Sequence, residues 1–107
     1  MPEDPQLRDR TIKAIQNAVA RMFGLSIEDL QTESRARSVA LPRQIAMYLA
    51  KQLTDASLPE IGQQFGGKHQ TSVMHSIARI HQLRATDAAI NNAIESILES
   101  LRQQPAD

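Results

Sequence analysis

Only three aromatic side chains, Phe23, Tyr48 and Phe65, occur in the 107 residues of this chain. Any core it builds is therefore aliphatic, made of Leu, Ile, Val, Ala and Met. Such a core suits packed helices and suits a β-sandwich poorly. The apolar spacing agrees. Ile12, Ile15, Val19 and Met22 recur at three- and four-residue steps within a segment from Leu7 to Phe23. Gly24 follows at the position where such a helix stops. Ser26 is placed to cap a further short turn, with Ile27 and Leu30 inward. One core of this kind fills a chain of this length, so a single domain is expected over residues 7–107, after a disordered lead-in at residues 1–6.

Residues 32–38, TESRARS, hold one apolar side chain, Ala36, and read as a basic loop. A helix is predicted from about Leu41 to Leu53, with Pro42 in its first turn, where a missing N–H costs little. It would bury Ile45, Ala46, Leu49 and Leu53 and carry Arg43, Gln44 and Lys51 on its other side. Ser57 and Glu60 have the spacing of a capping box, with Pro59 in the first turn of the short helix they open, Leu58 to Phe65. Ile61 and Phe65 are its core residues. Gly66 and Gly67 then permit a tight turn through positive φ. The next helix is predicted over about Gln70 to Ala85, with Val73, Met74, Ile77 and Ile80 inward. Thr86 or Asp87 caps a last helix that buries Ile90, Ile94, Ile97, Leu98 and Leu101.

Two helices joined by a tight glycine turn match a helix-turn-helix, whose second helix enters the major groove of DNA by its first turn. They equally match a plain helical hairpin with no nucleic-acid role. The sequel to the turn separates the two readings. Lys68, His69, Gln70, Thr71 and Ser72 follow the glycines without a break, five residues with hydrogen-bonding side chains. Capping a helix needs one or two. Lys68 can reach guanine acceptors or a phosphate, Gln70 can pair bidentately with adenine N6 and N7, and Thr71 can bond a base edge or touch a thymine methyl. Ser72 and the free N–H groups of the first turn suit a phosphate. His75, on the same face, either bonds a phosphate or packs half-buried. Arg35 and Arg37 suit a minor groove, or are simply solvated loop residues. Arg43, Gln44 and Lys51 can line up along one backbone strand.

The net charge is zero, yet residues 33–84 carry seven basic side chains against three acidic ones. A positive middle between neutral-to-acidic ends fits one basic face. The chain has no cysteine, which excludes disulfides and thiolate metal sites. His69, His75 and His81 stand six residues apart without clustered carboxylates, a poor pattern for a metal site. No phosphate-binding loop, nucleophile elbow or Cys–His set occurs, and catalysis is not expected. No apolar run approaches the length of a membrane span, and the start, MPEDPQLRDR, lacks the apolar segment of a signal peptide. A soluble, intracellular helical domain is expected.

Residues 35–80, RARSVALPRQIAMYLAKQLTDASLPEIGQQFGGKHQTSVMHSIARI, strongly resemble the C-terminal DNA-binding domain of the bacterial chromosomal replication initiator DnaA. The stretches RARSVALPRQIAMYL and SLPEIGQQFGGKHQTSVMHSIARI carry the likeness. It implies an all-α, Trp-repressor-like domain of about five to six helices with a helix-turn-helix core. It implies double-stranded DNA as partner, in the form of short asymmetric DnaA boxes at a replication origin, met in the bacterial cytoplasm at the nucleoid. It implies Arg35 in the minor groove, Arg43, Gln44 and Lys51 on the backbone, Leu58 and Pro59 at thymine methyls, Lys68, His69, Gln70 and Thr71 at bases, and Ser72 and His75 on phosphates. Leu58 and Pro59 enter through the resemblance alone.

The family signature most often reads Arg-Asp-His-Thr-Thr where this chain has Lys68-His69-Gln70-Thr71-Ser72. Ser72 keeps the hydroxyl, so its phosphate role is expected to survive. Base reading at His69 and Gln70 is expected to drift. No cofactor is expected in this segment. In the family, ATP binding, oligomerisation and origin melting belong to a motor domain, so the segment alone should bind duplex DNA as a monomer. The other initiator domains would be its partners within a full-length protein. The alternative is a stand-alone helix-turn-helix transcription regulator, which would usually dimerise on a palindrome.

Overall fold

The computed structural model describes residues 11–104. Among them lie six helices and no strand: α1 (Ile12–Phe23), α2 (Ile27–Leu30), α3 (Arg37–Leu53), α4 (Leu58–Gln64), α5 (Gln70–Thr86) and α6 (Ala88–Gln103). The expected lead-in at residues 1–6 and the predicted helix start from Leu7 to Arg10 lie outside the described residues. The caps follow the sequence. Thr11 Oγ1 accepts from the Ala14 N–H at 3.0 Å. Ser26 with Asp29, and Ser57 with Glu60, each form a reciprocal capping box. Gly24 ends α1 at φ 68°, and Asp87 caps α6 by accepting from Ala89 and Ile90.

α3 is the axis of the domain. Ile45 to Ala50 are buried without interruption, which requires neighbours on every side of the helix. α1, α2, α4 and α5 supply them, and α6 packs on α1 and α5. Phe65, Ile15, Leu30, Ile61, Ile80, Ile94, Ile97 and Leu101 complete the core. Each such side chain contributes about 1.5–3 kcal/mol by leaving water. α6 is also held by Arg84 of α5. Its Nε donates to Asn91 Oδ1 at 2.9 Å, and it pairs with Glu95. Its guanidinium carbon lies 5.9 Å from the centroid of the Tyr48 ring on α3.

Three features depart from the sequence pattern. α3 starts a turn earlier than predicted, so Arg37 and Ser38 are helical and Pro42 falls in the second turn. The missing N–H of Pro42 leaves the Ser38 carbonyl without its helical donor, but Ser38 is exposed and water can serve it. Val39, Ala40 and Leu41 are partly buried, which rewards the added turn. Met74 is 48% exposed. It sits one residue, about 100° of helix rotation, beyond the buried Val73. Met22, the last member of the α1 stripe, is 41% exposed.

The α4–α5 turn is built on close backbone approaches. Gly66 and Gly67 have φ 85° and 79°. A Cβ on Gly66 would lie 2.1 Å from the Gln31 carbonyl oxygen, and one on Gly62 would lie 2.0 Å from that of Lys68. Gly67 has nothing within 4 Å of such a Cβ. Gly67→Ala should therefore cost only the left-handed strain, about 1–2 kcal/mol. Gly66→Ala should cost about 1–3 kcal/mol more, since the backbone must also move, whereas Gly62→Ala adds that displacement without left-handed strain. Thermal unfolding followed by circular dichroism checks this order. Equal Tm losses at Gly66 and Gly67 would refute the close approach.

Candidate nucleic-acid interface

His69 is the N-cap of α5, and its Nδ1 accepts the Thr71 backbone N–H at 3.0 Å. Gln70, Thr71 and Ser72 follow on the first turn with exposed side chains. Lys68 turns the other way. Its half-buried side chain brings Nζ to the Thr32 carbonyl at 2.9 Å and to that of Phe65 at 3.1 Å. Two of the five polar residues after the glycines thus have partners inside the fold. Among the described residues, Gln70, Thr71 and Ser72 have no such internal side-chain bond and present their side chains outward.

Beside this turn lies an open groove of about 440 Å³ between α3, α5 and the chain leading into α3. Six of the residues singled out from the sequence line it: Arg35, Arg43, Gln44, Lys68, Ser72 and His75. Glu33, Met47, Ser76 and Arg79 complete the lining. Lys51, Leu58, Pro59, His69, Gln70 and Thr71 do not line the groove. Leu58 and Pro59 open α4, and His69 to Thr71 open α5. Lys51 is exposed near the C-terminal end of α3, and its Nζ reaches the Ala56 carbonyl at 3.4 Å. Arg37, on the first turn of α3, is exposed and outside the groove.

Arg43 joins the groove to the segment that carries Arg35. One of its terminal nitrogens donates to the Thr32 carbonyl at 3.1 Å and to the Ser34 carbonyl at 3.0 Å. The segment has its own small turns, with Thr32 Oγ1 accepting from Ser34 N–H and Ser34 Oγ from Ala36 N–H. Thr32 O therefore receives both Arg43 and Lys68. Burial lowers the Lys68 pKa below the ordinary lysine value and the nearby Arg43 charge lowers it further, while Glu33 opposes both. Burial also lowers the Arg43 pKa. Among the described residues, no group of His, Asp and Glu is arranged to hold a metal ion.

Arg79 and Ser76 were not legible as interface residues by type alone. Their spacing was the available signal, since 72, 75, 76 and 79 fall on one helical face. Gly62 carries a second such signal. A glycine within a short helix costs about 1 kcal/mol against alanine, and such a position signals a close backbone approach.

An all-helical domain that joins α4 to α5 by a double-glycine turn, beside a groove rich in cations, is a helix-turn-helix protein of the DNA-binding class. The family described as "Bacterial dnaA protein helix-turn-helix" matches residues 12–80, and the chain belongs to it. It is 50% identical over 92 residues to the chromosomal replication initiator protein DnaA of Caulobacter vibrioides strain NA1000 / CB15N. The same holds for that protein from strain ATCC 19089 / CIP 103742 / CB 15. The match covers 86% of this chain and 19% of each relative, so the chain spans about a fifth of their length.

Arg43→Ala should release residues 32–36 while leaving the bundle intact. The lost bonds are to one exposed carbonyl and one partly buried carbonyl and are worth about 1 kcal/mol in all. Amide hydrogen exchange at Ser34 and Ala36 should quicken by about fivefold, whereas Lys51→Ala should leave it unchanged. Unaltered exchange in Arg43→Ala would remove the anchoring role.

Proposed function

We propose that this chain binds duplex DNA at short asymmetric DnaA boxes of a replication origin and so serves initiation and its regulation. Its family membership and the exposed first turn of α5 beside a cationic groove support this reading. In it, Gln70 and Thr71 meet base edges in the major groove, together with His69, and Leu58 and Pro59 lie close to thymine methyls. Arg35, on the segment held by Arg43, enters the neighbouring minor groove. Gln44, Ser72, His75, Lys51 and the newly placed Arg79 meet the phosphates. Arg43 and Lys68 hold the interface together from within and add positive potential to it.

The domain acts here as a monomer, on bacterial DNA in the cytoplasm, with no cofactor of its own. The observation that carries the proposal is the outward array of Gln70, Thr71 and Ser72 on α5. No described helix is long and apolar enough to cross a membrane.

Fluorescence anisotropy on a DnaA-box duplex and a scrambled one tests the reading. The box should bind more tightly, and affinity should fall with salt by about 0.9 log units per log unit for each phosphate neutralised. Arg35→Ala or Thr71→Ala should each cost about 1–3 kcal/mol on the box and much less on the scrambled duplex. Arg79→Ala should weaken both duplexes alike and reduce the salt slope by about 0.9. Equal affinity for box and scrambled duplex would refute sequence-specific binding.

A further inference from the structure

We propose that His69 reads a hydrogen-bond acceptor on DNA through its Nε2–H and thereby sets base preference at the position it faces. The inference rests on the DNA-binding reading above and deepens it. Its basis is the helix cap. Thr71 donates its backbone N–H to His69 Nδ1 at 3.0 Å. A ring nitrogen that accepts carries no proton, so in the neutral imidazole the proton sits on Nε2. The cap thus fixes both the tautomer and the orientation of an exposed ring at the head of α5.

An imidazole held this way can only donate outward. In the major groove the matching acceptors are guanine O6 and N7, adenine N7 and thymine O4. The cytosine edge offers the N4 amino donor and gives this ring nothing. Other capping residues would behave differently. Asp would serve the same Thr71 N–H and present only acceptor oxygens. Asn would cap through its carbonyl oxygen and retain amide donors. Capping and base reading can therefore be separated by substitution.

The experiment measures competitive binding of wild type, His69→Asp and His69→Asn to duplexes in which each position of the box is varied in turn, with helicity checked by circular dichroism. At one position the wild type should disfavour cytosine on the facing strand by about three- to tenfold, as expected for a single neutral hydrogen bond. His69→Asp should reverse that order towards cytosine, and His69→Asn should keep it. Retention of the wild-type order by a folded His69→Asp at every position overturns the proposal, as does a reversal by His69→Asn. Should His69→Asp not fold, His69→Ala decides. Loss of the preference at that one position supports the proposal, and its persistence overturns it. A wild type that prefers no box over a scrambled duplex overturns the DNA-binding reading, and this inference with it. Specific binding with unchanged preferences overturns this inference alone.

Discussion

The carbonyl oxygen of Gly62 gathers three backbone N–H groups, from Phe65 at 3.2 Å, Gly67 at 3.0 Å and Lys68 at 2.9 Å. The chain reverses around that point. Because the closure uses only backbone, it leaves the side chains of the turn free for other tasks. Gly66 then lies against the Gln31 carbonyl, too close for any Cβ. Two residues further along α4, the carbonyl of Gln64 accepts from Gln16 of α1 at 2.8 Å and from Gln31 at 3.3 Å. Gln16 is buried, so this bond satisfies a polar group that would otherwise be costly. The turn is thereby fixed to α1 and to the end of α2, and the head of α5 takes a single direction from it.

α3 makes that direction useful. A helix whose middle, Ile45 to Ala50, is buried on every side cannot tilt without disturbing its neighbours, because interiors pack densely. α3 carries Arg43, Gln44 and Met47 to one wall of the groove, and α5 carries Ser72, His75, Ser76 and Arg79 to the other. Val73 and Ile80, both fully buried, hold α5 to the core and set the angular position of those polar residues. Rigid packing and outward chemistry therefore belong to alternate faces of the same helices.

Much of this was legible in the chain. The aliphatic periodicity, the Ser26 cap, the Ser57–Glu60 capping box and the glycine turn follow local rules, and they gave the helices within a few residues. The start of α3 was not legible, because a basic run such as Ser34 to Ser38 lacks the apolar signal that marks a helix. Three half-buried residues beyond it, Val39 to Leu41, decide the matter instead. Met74 misled because an apolar residue beside a core position shares its type but not its direction. The polar run after Gly67 was legible as a surplus, not as a division of tasks. Lys68 reaches back across 36 positions to Thr32, and no local pattern in the sequence encodes that contact.

That contact sets how the interface responds to an anion. Arg43 and Lys68 converge on the Thr32 carbonyl, which places two cations together at the edge of a protein interior. The lowered Lys68 pKa records the cost, and Glu33 offsets part of it. A phosphate entering the groove would add the opposite charge that the pair lacks. It would favour the protonated lysine and ease the repulsion between the two cations. The same two side chains grip the segment bearing Arg35 and the turn that opens α5. Phosphate binding in the groove would therefore strengthen the link between the Arg35 segment and the head of α5, two parts far apart in the chain. Screening by salt would weaken any phosphate contact there and, through these shared bonds, the mutual positioning of the two segments.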